Sequence, residues 1–184
     1  ASLVGSEMCI RDRPRNIQTF ASEAYSGAFY NCTNLKRVTL PEGLTAIGAN
    51  CFRQCSQLES IELPSSVRTL DIYAFYGCKL LTSVVIPEGV EAIPRFIFDS
   101  CTALTDVTLP NSVTKIGASA FNGCSLTTIN FGQGVKTIEN SAFQNCGELT
   151  EIILPDATET LGQNAFGDCP KPVSYTHLRA HETS

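Results

Sequence analysis

Cysteine is the side chain in this sequence with the greatest scope for chemistry, because it is abundant and evenly spaced. The chain of 184 residues contains nine cysteines, two histidines and no tryptophan. Seven of the cysteines recur at a nearly constant interval: Cys32, Cys55, Cys78, Cys101, Cys124, Cys146 and Cys169. A thiolate can attack a substrate, bind a metal ion or form a disulfide, so these three chemistries come first.

The sequence context argues against all three chemistries. A catalytic thiol needs a base, usually histidine, within hydrogen-bond reach, and both histidines, His177 and His181, lie at the far end of the chain. Cys51 and Cys55 would lie one helical turn apart, but two thiolates are not a four-ligand zinc site. Equivalent cysteines in stacked coils would approach bridging distance, yet seven parallel thiols cannot all pair. We expect a row of small buried residues, with disulfides as the alternative.

Other catalytic and binding motifs do not occur in the sequence. It contains no P-loop, dinucleotide fingerprint or HExxH motif, and the acids Glu88 and Glu91 fall at predicted turns, where they indicate solvated charge. The net charge of −5 disfavours nucleic acid as a partner. No stretch approaches the length of a membrane span. The sequence therefore predicts no catalytic residue, no cofactor and no metal site, and the chain is not expected to be an enzyme.

The cysteines belong to a longer repeat that must position them. Each follows a phenylalanine by three residues, and these phenylalanines are Phe29, Phe52, Phe75, Phe98, Phe121, Phe143 and Phe166. The unit reads L-x-x-V-x-L-P-x-x-V-x-x-I-G-x-x-A-F-x-x-C-x-x, most clearly in residues 104–124. One short step comes from a deletion of one residue between Cys124 and Leu126. A fixed period of about 23 residues predicts a solenoid of stacked coils.

Each unit begins with a short strand. Apolar Leu104, Val107 and Leu109 alternate with polar Asp106 and Thr108, which is the two-residue period of a strand with one buried face. Proline closes five of these strands and Gly132 replaces it in the sixth. We therefore predict stacked coils of about 23 residues, with a parallel β-sheet on one side and short helical or 3-10 turns on the other.

The outward strand positions form two rows that are free to vary without disturbing the core. They are the candidate partner-binding face: Arg37, Ser60, Ser83, Asp106, Thr128 and Glu151 in one row, and Thr39, Glu62, Val85, Thr108, Asn130 and Ile153 in the other. Val85 and Ile153 are apolar residues in an otherwise polar row, and such residues can anchor a partner.

The unit, with its A-F-x-x-C, L-x-x-V-x-L-P and V-x-x-I-G segments, resembles the BspA-type leucine-rich repeats of bacterial and some protist surface proteins. The resemblance covers residues 17–170. Cys51, Pro94, Gly132 and Thr158 are local departures. The resemblance implies a surface-exposed or secreted, adhesin-like protein whose partner is a protein or another cell-surface macromolecule.

Two other roles are consistent with the same repeat. The coils could be a passive spacer in a long repeat protein, or an accessory domain of a larger protein whose enzymatic part lies elsewhere. A spacer predicts that substitutions along both outward rows leave binding unchanged, whereas a binding module predicts loss at a few clustered positions.

The two ends of the chain have a separate origin in our interpretation. Codons can be chosen for residues 1–13 whose reverse complement, read in frame, encodes residues 172–184, and the pairing stops at the next residue on each side. The DNA resembles a transposase-end sequencing adapter. We therefore expect 1–13 and 172–184 to be artefactual, disordered tails. Residues 14–171 would then be an uncapped solenoid fragment of six to seven coils, prone to fraying or aggregation.

Overall fold

The computed structural model describes residues 27–169 and the backbone of residues 174–177. These residues form ten short strands, and every strand pairing is parallel. The strands are β1 (Ala46–Ile47), β2 (Thr69–Leu70), β3 (Ser83–Val85), β4 (Ala92–Ile93), β5 (Asp106–Thr108), β6 (Lys115–Ile116), β7 (Thr137–Ile138), β8 (Glu151–Leu154), β9 (Thr160–Leu161) and β10 (Ser174–His177).

The predicted strand is confirmed after Cys78, Cys101, Cys146 and Cys169, and these strands form what we call the front sheet; the segments after Cys32 and Cys55 have no strand pairing. β3 pairs with β5, Thr108 bridges to Asn130, and β8 pairs with β10. In β3 and β5 the central valine is buried and its two neighbours are exposed. The front sheet therefore has one face in the core and one in solvent, as its alternating sequence predicts.

A second sheet runs along the V-x-x-I-G segment of each unit. It contains the pair β1–β2 and the four strands β4, β6, β7 and β9 in that order. Lys115 in β6 pairs with Ala92 in β4 and with Thr137 in β7. The sequence separation between Lys115 and Thr137 is one residue shorter than that between Ala92 and Lys115. The deletion after Cys124 is therefore absorbed before the strands begin, and both sheets stay in register.

The expected helical or 3-10 turns on the opposite side are wrong, because no residue in the described part of the chain is helical. The segment around each phenylalanine instead bonds to the next coil: the Phe52 amide donates to the Ala74 carbonyl at 2.7 Å, and the Gln54 amide donates to the Tyr76 carbonyl at 2.7 Å. The described residues contain no helix that could span a membrane.

The backbone conformation explains the missing helix. The residues two before and two after each phenylalanine have positive φ, as at Asn50 (φ 57°) and Gln54 (φ 62°) around Phe52. A right-handed helix needs φ near about −60° at consecutive residues, so these left-handed residues interrupt it. The amides that a helix would satisfy internally are bonded to the neighbouring coil instead.

The seven repeat phenylalanines form one continuous column through the core. Successive ring centroids lie 5.0 to 5.4 Å apart and the rings are within 13° of parallel. The five inner rings, Phe52 to Phe143, are completely buried. A single coil cannot bury its ring alone, so stacking creates this core.

The C-terminal segment contributes one strand to the front sheet. Ser174–His177 lies within the predicted disordered tail, yet it forms β10 in register with β8, with Ser174 opposite Glu151. Ser174 follows Glu151 by one full repeat length, so the chain reaches the open edge of the front sheet in register. Disorder of the two tails stays a prediction. The tail 1–13 and the remainder of 172–184 lie outside the described residues, and an artefactual origin stays a prediction.

Gly132, which stands at the repeat position where the other coils have proline, is held by close packing. A Cβ atom there would lie 2.0 Å from the Pro110 carbonyl oxygen, an approach that only glycine allows. We expect Gly132→Ala to lower the free energy of unfolding by about 1–3 kcal/mol, because backbone must move to admit the methyl group. Urea denaturation measures this. The neighbouring Gln133→Ala, at an exposed position, is the control, and equal stability of the two variants would contradict the packing argument.

Candidate binding face

All twelve candidate residues are exposed, and those in β3, β5 and β8 lie on the solvent face of the front sheet. They flank buried inward residues, as Asp106 and Thr108 flank Val107, which is 2 % exposed. Inward positions carry the packing, so outward residues can change without cost to the fold. The face is thus a rigid scaffold with a freely variable surface. Whether these residues bind a partner stays a prediction.

The two apolar residues of this face are well exposed. Val85 is 65 % exposed and Ile153 is 41 % exposed. Val85 and Ile153 lie three repeats apart in the stack, so they are two isolated apolar positions and not one patch. An exposed aliphatic side chain at such a position can anchor a partner, and isolated ones are also ordinary features of protein surfaces.

A groove of about 520 Å³ lies at the N-terminal end of the face. It forms between the segments 37–42 and 60–65, where a single backbone bond, from the Glu59 amide to the Lys36 carbonyl at 3.0 Å, precedes a stretch without strand pairing. Its lining includes four of the candidate residues and one acid that the sequence did not single out: Arg37, Thr39, Ser60, Glu62 and Glu42. The groove is a concave part of the predicted face.

The groove combines apolar walls with charges of both signs. Val38 and Leu63 are half-buried and pack against the core, while Arg37, Glu42 and Glu62 are exposed. Arg37 lies 4.0 Å from the Glu59 carboxylate, and both side chains are largely exposed, so this ion pair is weak. The three charges around the groove are therefore available to a partner.

The cysteine row is a set of hydrogen-bond donors. Each thiol donates to the carbonyl of the phenylalanine in the preceding coil, with Sγ to O distances of 3.1 to 3.5 Å. The six donors are Cys55, Cys78, Cys101, Cys124, Cys146 and Cys169, and all six are free thiols. Cys32 is the exception in the row, because it is disulfide-bonded. The expected row of small buried residues is confirmed for five of the six, and Cys169 at the end of the row is half-buried.

These thiols are poor nucleophiles. Burial raises the pKa of the Cys55, Cys101 and Cys146 thiols to about 12, and it raises the pKa of Cys78 and Cys124 well above the ordinary range. The reactive form is the thiolate, which is scarce at neutral pH when the pKa is so high. Within residues 27–169 and 174–177, no three potential ligands cluster as a metal site. The row is structural.

Sequence reasoning missed several exposed large side chains. Tyr30, Leu80 and Leu161 are 54 %, 40 % and 48 % exposed, and none lies on the predicted face. Leu80 precedes the repeat leucine Leu81, so the double leucine in residues 80–81 was an available signal. Tyr30 follows a repeat phenylalanine, at a position that is polar or glycine in most other coils.

The repeat geometry agrees with a family comparison. The model described as "BspA type Leucine rich repeat region", which spans six copies of the repeat, matches residues 22–147 and 70–180. The chain belongs to the BspA-type leucine-rich-repeat family. Membership explains the fixed apolar positions, the cysteine row and the parallel sheet together. Repeats of the BspA type are commonly protein-interaction modules.

Solved structures give the same fold. A leucine-rich repeat protein from Bacteroides ovatus is 37 % identical with a TM-score of 0.69, over 71 % of this chain and 34 % of that one. The Treponema pallidum (T. pallidum) leucine-rich repeat protein is 34 % identical with a TM-score of 0.73, over 80 % of this chain and 69 % of that one. A leucine-rich repeat protein from Eubacterium ventriosum is 24 % identical with a TM-score of 0.60, over 77 % of this chain and 44 % of that one. At this identity, the likeness supports the fold alone.

The BspA-type chain spans about a third of the length of the Bacteroides ovatus protein that it matches. No curated protein matches it at a significant level. The comparisons therefore identify a repeat domain and name no partner for it.

Proposed function

We propose that the front face of this BspA-type domain binds a protein or another macromolecule of a cell surface, with the groove at its N-terminal end as the centre of the interface. The observation that carries this proposal is the groove itself, a mainly polar concavity in which two half-buried apolar side chains lie beside three exposed charges. Protein interfaces combine apolar and polar surface in this way.

We also propose that the whole protein is surface-exposed or secreted and serves attachment. The family resemblance supports this, as does the rigid stack, which displays a long face without a moving part. The chemistry of the domain supports a non-catalytic role, since its buried thiols have raised pKa values and its segment 27–169 contains no histidine. Enzymatic activity of an adjoining domain is compatible with this role.

Removing the groove charges should weaken attachment. We expect the triple variant Arg37→Ala, Glu42→Ala, Glu62→Ala to reduce retention of chain-coated beads on an epithelial layer or a bacterial film about tenfold, the equivalent of about 1.4 kcal/mol. The reason is that charges at the centre of an interface become desolvated and specific when a partner covers them. Bead counts after a fixed shear wash measure retention.

A matched control separates binding from general surface charge. Glu88→Ala, Glu91→Ala, Arg95→Ala removes the same number of acidic and basic groups, also from exposed positions, away from the groove. We expect its beads to be retained like the wild type. Equal retention of all three proteins at a level above bare beads would place the interface elsewhere, and retention no better than bare beads would favour the spacer.

A further inference from the structure

Three tyrosine rings surround one arginine on the turn side of the coils, away from the front face, and a phenylalanine stacks on one of these rings. The Arg53 guanidinium carbon lies 4.8 Å from the centre of the Tyr73 ring, 5.0 Å from that of Tyr76 and 5.9 Å from that of Tyr30. Tyr73 stacks in turn on Phe96, with centroids 5.0 Å apart and rings 4° from parallel. We call these five residues the tyrosine cage.

The cage forms because three of its members occupy equivalent positions in successive coils. Tyr30, Arg53 and Tyr76 each follow a repeat phenylalanine and are separated from one another by one repeat length. Stacking therefore places the arginine between two tyrosines. Cation–π attraction operates at these distances and strengthens as the cation loses water. The stack holds the guanidinium in place.

Arg53 has fewer hydrogen-bond partners than its donors require. Nη1 donates to the Asn50 side-chain oxygen at 3.0 Å, whereas Nε is buried without an acceptor. Within the described residues, no carboxylate lies within ion-pair distance of Arg53. A guanidinium has five donors and is always charged. The cage thus encloses a cation that lacks a counterion.

Two cage residues adopt an unfavourable backbone conformation. Tyr73 and Phe96 have φ of 58° and 59°, in the left-handed region where bulky residues are rare. Equivalent positions in the other coils carry small residues: Gly27, Asn50, Ser119, Ser141 and Asn164. Large aromatic rings thus occupy two positions where small residues would be less strained. Strain of this kind points to a function for the side chains.

We propose that the tyrosine cage is a second binding site, which takes a single carboxylate flanked by apolar side chains on a segment of a protein partner. Because Arg53 Nε is buried, the Nη donors are the ones that meet the carboxylate, and charge-assisted bonds to arginine are the strong kind. Tyr30, which is 54 % exposed, offers a ring for the apolar flank. Tyrosine and arginine are the residues that dominate the binding energy of protein interfaces.

The surroundings limit the ligand to one charge. Asp99 continues the row that holds Tyr30, Arg53 and Tyr76, and exposed Asp71 lies two residues before Tyr73. The whole chain has a net charge of −5. These negative charges repel a polyanion such as nucleic acid, while one carboxylate can be neutralised by Arg53 itself.

Tyrosine fluorescence tests the proposal on the full chain, which contains five tyrosines and no tryptophan. The probe is acetyl-Leu-Glu-Leu-amide, and its neutral match is acetyl-Leu-Gln-Leu-amide. We expect a saturable change with the glutamate peptide and about tenfold weaker binding of the glutamine peptide, since the latter lacks the charge-assisted bond. Sodium glucuronate supplies the same carboxylate on a sugar ring.

Two variants and a control distinguish binding from folding. Arg53→Lys keeps the charge but loses the planar, stacked group, and we expect about tenfold weaker peptide binding. Tyr30→Ala removes an exposed ring, and we expect a smaller loss without change in the unfolding transition. Arg68→Lys, at an exposed arginine bonded to backbone carbonyls, should bind like the wild type. Equal binding of both peptides, no effect of Arg53→Lys, or saturation by glucuronate alone would overturn the proposal.

Discussion

Phe98→Ala is expected to cause a loss of stability comparable to the total stability of a small domain. Phe98 is completely buried, with ring centroids 5.3 Å from Phe75 on one side and 5.4 Å from Phe121 on the other. Truncating a buried phenylalanine costs about 3–5 kcal/mol, and this loss includes the contacts with both stacked rings. Small proteins are stable by only about 5–15 kcal/mol.

Loss of the Phe98 ring should also uncouple the coils on its two sides. Each coil contacts only its neighbours, so a cavity in the central coil weakens the interfaces on both of its sides. Urea denaturation followed by circular dichroism should show a lower midpoint and a broader transition than the wild type. The matched control is Phe166→Ala, because Phe166 is half-buried and stacks on one ring of the column, that of Phe143. Equal losses at the two positions would contradict this account of the column.

The sequence predicted the parts of the fold that follow a strong period. The alternation of Leu104, Val107 and Leu109 with polar residues identified the front strands and the exposed rows. The second sheet was not predicted because its strands are two residues long, as at Lys115–Ile116, and two residues cannot display an alternation. Its only signal was the regular V-x-x-I spacing, which a short strand shares with other structures.

The helical turns were predicted wrongly for a related reason. Phenylalanine and cysteine three residues apart fit one face of a helix as well as they fit the observed turn. Asn31, Gly77, Gly123 and Asn145 were the available signal, because glycine and asparagine favour positive φ, and they follow repeat phenylalanines by two residues. The groove had no such signal, since it depends on how two neighbouring segments pair.

The tyrosine cage could not be found as a motif because it is a departure from the repeat. Tyr30, Arg53 and Tyr76 are unremarkable within their own coils, and they become a cluster only when successive coils are aligned at the phenylalanine. The repeat determines the scaffold, so the features that are specific to this chain lie at positions that depart from the repeat. A sequence search for further sites in this family should therefore compare equivalent positions across coils.

Alkaline solution should unfold the domain through its cysteine row. Burial raises the pKa of the Cys55, Cys101 and Cys146 thiols to about 12, against about 8.5 for an unfolded thiol. The folded chain therefore retains protons that the unfolded chain has lost, and the free energy of unfolding falls as pH rises between these values. Below about pH 8.5 both states are protonated and these thiols cause no pH dependence.

The free energy of unfolding depends steeply on pH because several buried thiols contribute to it. Each buried thiol contributes about 1.4 kcal/mol per pH unit, so three contribute about 4 kcal/mol per unit. Guanidinium unfolding at pH 8, 9, 10 and 11 measures the slope. Cys101→Ser keeps a donor for the Phe75 carbonyl but does not titrate there, so its slope should be shallower by about 1.4 kcal/mol per unit.

The matched control is Cys169→Ser, because Cys169 is half-buried, whereas the other five free thiols of the row are buried. Its slope should stay closer to that of the wild type. All other side chains are the same in every variant, so their contributions cancel in the comparison. Identical slopes for the wild type and Cys101→Ser would mean that the buried thiols do not govern alkaline stability. The shallower slope would show that the cysteine row holds the coils together only while its thiols keep their protons.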